Sequence, residues 1–358
     1  MSYLLPLGPF HPAWRGPLRL VLRVENEAVI DLEYKDGYNQ RGVAERLTRV
    51  SLPKALQLVG RICGVDAQAH TLGFCLALEQ LLGAAPPERA TMLRTAVAEL
   101  ERAVAHLEAL ASVLSLMGLT RDSNTLSALR AGLLECQGTL CGAPLSSDYC
   151  LPLGVRQDLS ADGREDLLLA LRRFERNLYR FIDRFIDARG VLRRTVGIGC
   201  LSNEAARQYG LRGPLARAAG IASDVRSDAP YAGYERLEVR PIVQQRGDVY
   251  SRLVVLLLES LESANLLLQI LSSLPEGDWM GNTLDEIPAG SATATVESSR
   301  GLLRYRLESD GRRLTAVTID APHQLDRLLV RTLLQGALVD DAALIVASTA
   351  PCMACAEG

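Results

Sequence analysis

The chain has 358 residues, 48% of them hydrophobic, which is enough to bury a large core as one domain or two closely packed ones. The formal net charge of −3 and the lack of a basic block exclude nucleic acid as an expected partner. We expect no secretion signal, because residues 1–5 carry no basic segment, and no membrane span, because Glu259 and Glu262 follow the apolar run 253–258.

The first 50 residues predict a small β-structure. Apolar residues alternate with polar ones through residues 17–35, with a polar break at Asn26 and Glu27, which is typical of a β-hairpin. A Gly- and Pro-containing segment, residues 8–16, precedes the hairpin, and a second glycine-flanked segment, residues 37–45, follows it. We interpret residues 1–50 as an N-terminal β-hairpin region.

Helices are predicted for most of residues 51–285. Their apolar residues recur at intervals of three and four, and Gly83 with the following prolines separates two of them. We expect the charged residues to lie on the opposite face, as in helices that pack into a bundle. The predicted helices cover residues 52–62, 67–82, 88–119, 121–140, 164–187 and 247–274.

After Pro288 the hydrophobic period changes to two. Residues 293–296, 302–307 and 314–319 predict a small antiparallel sheet with a turn at Asp310 and Gly311. The sheet and the C-terminal segment form a third region, residues 286–358. We expect regions 1–50, 51–285 and 286–358 to pack as one integrated domain.

The eight cysteines fall into two sets. Cys63 begins a Cys-x-x-Asp sequence that ends at Asp66, and Cys352 begins a Cys-x-x-Cys sequence that ends at Cys355. Side chains spaced in this way can hold a metal ion from one side, so we predict that the fold joins the two sequences in one site. The others share no ligand spacing and are expected to be reduced buried thiols: Cys75, Cys136, Cys141, Cys150 and Cys200.

These two sequences resemble motifs of the large subunit of [NiFe] hydrogenases. The resemblance is greatest to the membrane-bound, energy-converting group 4 class, which is related to the quinone-site subunit of respiratory complex I. The family patterns are R-x-C-G-x-C with a later His, matched from Arg61 to His70, and D-P-C-x-x-C, matched at residues 351–355. The chain departs from them at Asp66, where Cys is expected, and at Ala350, where Asp is expected.

The resemblance extends over nearly the whole chain, residues 8–355. It implies an α+β, mainly α fold: a hydrogenase large-subunit-like helical bundle with an N-terminal β-hairpin and a small late antiparallel sheet. In the family, four cysteines hold a nickel–iron pair. By position, Cys63, Cys352 and Cys355 would be ligands, and Asp66 would replace one bridging cysteine.

A carboxylate is a harder ligand than a thiolate and a poorer electron donor. An ordinary hydrogen-evolving centre is therefore not expected here. Asp66 is a candidate ligand or proton carrier, because burial between thiols would raise its proton affinity. His70 is expected beside the ligands, in a supporting position.

Other motifs of the family add candidate residues. Residues 8–16 resemble G-P-Q-H-P-x-x-H-G, which makes His11 and Arg15 candidates for cofactor binding, with Arg15 where complex I has a quinone-binding His. Gly64 stands where complex I has a quinone-binding Tyr.

Two more motifs concern protons and diatomic ligands. The family's proton-relay Glu aligns with Ala44, and the neighbouring candidate, Glu45, is about 100° further round a helix. Residues 297–301 resemble E-x-P-R-G, whose Arg lies over the diatomic ligands of the hydrogenase iron. That role falls conditionally on Arg300, for which a structural ion pair is the alternative.

Three explanations of the site remain open. It is a modified nickel–iron or other metal site, a metal-free cavity for a quinone or another oxidised small molecule, or a cavity without chemistry in a scaffold or coupling subunit. The first is favoured by three cysteines at ligand spacing.

The resemblance also implies an assembly. The chain would be the large subunit of a membrane-associated, ion-translocating oxidoreductase complex, peripheral on the cytoplasmic face of the inner (plasma) membrane. Its partners would be a small subunit carrying a [4Fe–4S] cluster, other complex I-like hydrophilic subunits and a membrane arm that translocates protons or sodium. The sequence has no G-x-G-x-x-G or P-loop pattern, so no flavin or nucleotide site is expected in this chain.

Overall fold

A computed structural model describes residues 2–144, 148–282, 286–322 and 325–357. At the N-terminus, β1 (Ser2–Leu7), β2 (Arg19–Glu25) and β3 (Ala28–Lys35) form an antiparallel sheet in that order. The predicted hairpin is confirmed as β2 and β3. The sequence did not predict β1, which pairs with β2 along its whole length.

Helices dominate the middle of the chain, which confirms the mainly α, α+β class. They are α1 (Val43–Leu47), α2 (Leu52–Val59), α3 (Ala67–Leu82), α4 (Glu88–Leu116), α5 (Thr120–Cys141), α6 (Ala161–Ile186), α7 (Arg189–Thr195), α8 (Asn203–Gln208), α9 (Gly213–Ala218), α10 (Val225–Asp228) and α11 (Val249–Ser272). A hairpin of β4 (Cys150–Leu151) and β5 (Gly154–Val155) lies between α5 and α6.

Several helix boundaries differ from the prediction by a few residues, and two of these differences have a clear local reason. Helix α6 begins at Ala161, earlier than predicted, because the Ser160 hydroxyl accepts a hydrogen bond from the Gly163 N–H and caps the helix. Helix α4 ends at Leu116, just before Gly118, whose φ of 73° is the left-handed conformation common after helix ends.

Helix α11 forms the centre of the bundle and packs against α4 and α6. By length and composition alone this helix could cross a membrane, but 67% of its most apolar stretch is buried inside the protein. Its apolar face is therefore already covered by neighbouring helices, as in the core helix of a globular bundle.

Helix α4 departs from the expected pattern of charged residues facing outward. Arg94, Glu99, Glu101 and Arg102 are all buried. The helix is covered on all sides near its middle, by α3, α5, α11 and α13 among others. The prediction is wrong for this helix because its buried charges are paired with partners from distant parts of the chain.

The last region contains the predicted sheet, formed by β6 (Ala289–Ser298), β7 (Gly301–Asp310) and β8 (Leu314–Asp320) in antiparallel order. It is followed by α12 (Arg327–Leu334), α13 (Val339–Ser348) and α14 (Met353–Ala356). The sheet packs on α3 through β6 and β7, so that the β6–β7 turn lies near the start of α3. The region boundary expected at residue 285 lies outside the described residues.

A buried ion pair ties the β4–β5 hairpin to the bundle. Both Arg94 terminal nitrogens donate to the Glu79 carboxylate, at 2.7 and 3.0 Å, and Arg94 Nε donates to the Gly154 carbonyl at 2.9 Å. The Leu153 N–H also donates to Glu79, at 2.6 Å. Helices α3 and α4 and the hairpin therefore share one set of charged hydrogen bonds.

We predict that Glu79→Gln lowers the free energy of unfolding by about 3–5 kcal/mol, because it leaves the Arg94 guanidinium buried without a counter-charge. Urea denaturation followed by circular dichroism measures the change. Arg49→Ala is the control, because its pair with Glu45 is exposed and should contribute nothing measurable. Equal effects of the two variants would contradict the role of the buried pair.

Candidate thiol and metal site

Three cysteines from the two ends of the chain meet in one buried cluster. Cys63 lies in the turn between α2 and α3, and Cys352 and Cys355 lie at and within α14. Their sulfur atoms are all within 4.8 Å of one another, and Cys63 Sγ is 3.4 Å from Cys352 Sγ. The predicted meeting of the two cysteine sequences is therefore present in the fold.

Backbone contacts hold the C-terminal cysteines in place. Arg15 and Cys352 form an isolated parallel bridge, in which the Met353 N–H donates to the Arg15 carbonyl at 3.0 Å. The Arg41 guanidinium donates to the carbonyls of Arg61, Ile62 and Ala354, which join the segment before Cys63 to α14. The thiols are thus positioned by both ends of the chain.

Asp66 closes one side of the cluster. It is the residue before α3, and its Oδ2 is 3.8 Å from Cys355 Sγ. Oδ1 accepts the Ser299 N–H at 3.0 Å, and Oδ2 accepts from Arg300 Nη1 at 2.8 Å. Both carboxylate oxygens therefore already have strong partners within the protein.

Arg300 is the cation of the site. It lies in the β6–β7 turn, and its Nε donates to the Ala350 carbonyl at 2.7 Å. Burial alone would lower the pKa of Arg300, but Asp66 and the three cysteines raise it above the ordinary value. Arg300 therefore stays charged and favours negative charge on the groups around it.

The three sulfurs are not equivalent. Hydrogen bonds from Cys355 and Cys63 lower the pKa of Cys352 well below its usual range. The contact with Cys352 raises the pKa of Cys63, while the contact with Cys355 opposes this, and contacts with Cys352 and Cys63 raise the pKa of Cys355. Since its pKa is the one that is lowered and Arg300 lies beside the cluster, Cys352 is the strongest candidate of the three for a nucleophile or metal ligand.

His70 is fully buried on α3, one turn after Asp66. Its Nδ1 is hydrogen-bonded to the Tyr305 hydroxyl at 2.7 Å, and its Nε2 has no hydrogen-bond partner in the described parts of the chain. Burial lowers the pKa of His70 to about 4, although the charge of Asp66 opposes this. The imidazole is therefore neutral at physiological pH.

The other candidates lie outside the cluster. Glu45 is exposed on α1 and pairs with Arg49. His11 and Arg15 line a cavity of about 320 Å³ that also borders Arg300. Gly64 lines a second cavity, of about 350 Å³, that borders Cys63.

Sequence reasoning missed Glu101. It lines the same 350 Å³ cavity as Cys63, and its carboxylate accepts the N–H groups of Gln68 and Ala69 at 2.7 and 2.9 Å. The available signal was a Glu–Arg pair, Glu101 and Arg102, inside the apolar pattern of a long helix.

A buried ion network supports the site from the α4 side. Arg217 contacts Glu259 at 2.6 Å and Glu297 at 2.9 Å, and Arg226 contacts Glu99 at 2.9 Å. Asp224 lies between the two arginines, 3.4 Å from Arg217 and 2.7 Å from Arg226.

The network also contacts the β6–β7 turn that carries Arg300, and it includes His106, a buried histidine on α4. Arg102 donates to the carbonyls of Glu297 and Ser298, at the end of β6. On the other side, His106 Nε2 is 3.0 Å from the Glu259 carboxylate. Helices α4, α9, α10 and α11 are thus linked to the β6–β7 turn by charged contacts.

Known proteins resemble this chain over its whole length. A family profile described as "Respiratory-chain NADH dehydrogenase, 49 Kd subunit" matches residues 120–286. The carbon monoxide-induced hydrogenase of Rhodospirillum rubrum is 31% identical over 99% of both chains. Formate hydrogenlyase subunit 5 of Escherichia coli K12 is 30% identical over 99% of this chain and 63% of its own length.

The fold is also found in a solved structure. A chain from the structure of the membrane-bound sulfane sulfur reductase, described as an archaeal respiratory membrane complex, superimposes with a TM-score of 0.93. The match covers 100% of this chain and 98% of the other at 25% sequence identity.

We predict that Asp66→Asn lowers the free energy of unfolding by about 3–5 kcal/mol, because the Arg300 guanidinium would lose its buried counter-charge. Chemical denaturation measures the change. In the control Ser299→Ala, only a neutral hydroxyl partner of Arg300 is lost, which should cost about 1 kcal/mol. The pair would be shown unimportant if Asp66→Asn cost no more than the control.

Proposed function

Because the chain belongs to the family of the complex I 49-kDa subunit and the [NiFe]-hydrogenase-like large subunits, we propose that it is the large subunit of a membrane-associated, ion-translocating oxidoreductase complex. Its relatives are subunits of hydrogenase and respiratory complexes. The observation that carries the proposal is the buried cluster of Cys63, Cys352 and Cys355.

The cluster does not fit the four-thiolate centre of an ordinary [NiFe] hydrogenase. It offers three sulfurs, and the fourth position is Asp66, both of whose carboxylate oxygens accept hydrogen bonds from the protein. A bridging role for Asp66 would compete with its pairing with Arg300. We therefore propose no reaction through a nickel–iron pair.

The three sulfurs do fit a single soft metal ion, since thiolates select such metals. Cys63, Cys352 and Cys355 would hold it, and it would supply a redox-active or Lewis-acidic centre next to the cavity. The protein's own part is to keep Cys352 deprotonated, hold Asp66 on Arg300 and keep His70 neutral.

We place this site at the end of an electron path from a [4Fe–4S] cluster in a small-subunit partner. Other hydrophilic subunits and a membrane arm would complete the complex, on the cytoplasmic face of the membrane. The support is that the similar solved structure is described as an archaeal respiratory membrane complex.

A second candidate is metal-free reduction of sulfane sulfur at the thiols. It is favoured by the 3.4 Å contact between Cys63 and Cys352 and by the likeness to the sulfane sulfur reductase chain. The Cys352 thiolate would attack a sulfane sulfur and expel a thiolate. Cys63 would then displace the bound sulfur as hydrosulfide, and two electrons and two protons would reduce the Cys63–Cys352 disulfide.

The quinone alternative has less support. Arg15 and Gly64 stand where complex I has its quinone-binding His and Tyr, and here they line different cavities. Gly64 has no side chain to replace the tyrosine hydroxyl.

We predict that the purified complex carries one soft metal ion per large subunit beyond the iron of its iron–sulfur clusters. Elemental analysis should show that Cys63→Ala and Cys352→Ala each lose it, because two sulfurs hold a metal far less tightly than three. Cys136→Ala is the matched control, since Cys136 is a buried thiol on α5 outside the cluster.

Infrared spectra in the carbon monoxide and cyanide stretching region should show no bands. Such bands, together with nickel, would overturn the distinction from ordinary hydrogenases. A complex without the extra metal, whose Cys63 and Cys352 cycle between thiols and a disulfide on addition of polysulfide, would establish the second candidate instead.

A further inference from the structure

A buried carboxyl group separates the 350 Å³ cavity from the start of α3. Glu101 is 7% exposed on α4, and it lines the cavity together with Cys63 and Gly64. Its two oxygens accept hydrogen bonds from the Gln68 and Ala69 N–H groups, at 2.7 and 2.9 Å. Glu101 thus lies between the cavity and the turn that carries the first cysteine and Asp66.

The charges around Glu101 are of both signs. Arg102 is next to it on α4, but its terminal nitrogens donate to the carbonyls at the end of β6. Two further arginines, Arg61 and Arg130, and one further carboxylate, Glu108, line the same cavity. Glu101 interacts electrostatically with Asp66, Arg102, Cys141 and Cys150. The other charged or titratable residues that line its cavity are Arg61, Cys63, Glu108 and Arg130.

This environment favours the protonated carboxyl group. Burial raises the pKa of Glu101 to about 8, and the charge of Asp66 acts in the same direction, while the two N–H groups and Arg102 oppose the shift. The group is therefore neutral below about pH 8 and gives up its proton as pH rises through that value. Acids that are tuned toward the working pH are common among proton donors and acceptors in enzymes.

We propose that Glu101 carries protons between the 350 Å³ cavity and the thiol site. The family resemblance gives this task to position 44, which is alanine here, and the nearby Glu45 is exposed and paired with Arg49. Glu101 gives its proton to a base formed at the thiol site during reduction and regains one from water in the cavity. No electron resides on Glu101 at any stage.

The inference rests on the proposed redox function and is tested by two separate measurements on the intact complex. Glu101→Gln keeps the size of the side chain and one acceptor oxygen but has no exchangeable carboxyl proton. Glu101→Asp retains the acid with a shorter reach and covers the case in which the glutamine variant fails to fold. Glu45→Gln is the matched control for an exposed glutamate.

Infrared difference spectra should show a protonated carboxyl C=O band at pH 7 that exchanges in D₂O and fades as pH rises through about 8. The band should be present in the wild type and Glu45→Gln and absent in Glu101→Gln. The reductive turnover of Glu101→Gln should fall about 10²-fold, with Glu101→Asp between it and the wild type.

A band that persists in Glu101→Gln, or that does not exchange in D₂O, would overturn the inference. Full turnover of Glu101→Gln across the pH range would do so as well. If the wild-type complex shows no reductive turnover, the proposed function fails. The exchange of the Glu101 band still decides whether this residue passes protons to and from the cavity.

Discussion

The ion pair between Asp66 and Arg300 is the interaction on which the site depends. Its partners are 234 residues apart in the sequence and only 1% and 6% exposed. Arg300 also binds the Ala350 carbonyl, so one guanidinium joins the start of α3, the β6–β7 turn and the C-terminal segment. A buried ion pair contributes little net stability compared with apolar packing, but the loss of one partner is costly. Its effect is to fix where the three segments lie.

The buried ion network behind the site extends this constraint into the bundle. Its carboxylates and guanidinium groups alternate from α4 through α10 and α9 to α11. Arg102, also on α4, donates to the carbonyls of Glu297 and Ser298. Buried charges that satisfy one another in this way hold side chains and backbone in a single arrangement. The turn carrying Arg300 is thereby positioned from both sides, which is the support that a reactive site needs.

The sequence predicted what depends on local patterns. Helix α5, the β2–β3 hairpin and the late sheet follow from periodicity, and the meeting of Cys63 with Cys352 follows from ligand spacing and family resemblance. What the sequence could not predict depends on contacts between distant segments. Strand β1 is held by its pairing with β2, and Glu101 is buried because the amides of α3 and the walls of a cavity surround it. The sequence of a helix does not show whether other segments of the chain cover one of its charged residues.

Two of the departures from the family motifs, at positions 66 and 350, concern carboxylates that would lie near the same arginine. The motifs place an aspartate at position 350 and a cysteine at position 66, whereas this chain has Ala350 and Asp66. Arg300 contacts both positions, so an aspartate at 350 would stand beside the same guanidinium that Asp66 now pairs with. Ala350 even retains a φ of 52°, a left-handed conformation that aspartate tolerates better than alanine. The chain thus supplies one carboxylate to its buried arginine, from position 66 rather than from position 350. A cysteine at position 66 would remove this carboxylate and leave the thiols of Cys63, Cys352 and Cys355 as the anionic partners of Arg300, which ties the Asp66–Arg300 pair to the three-thiol form of the site.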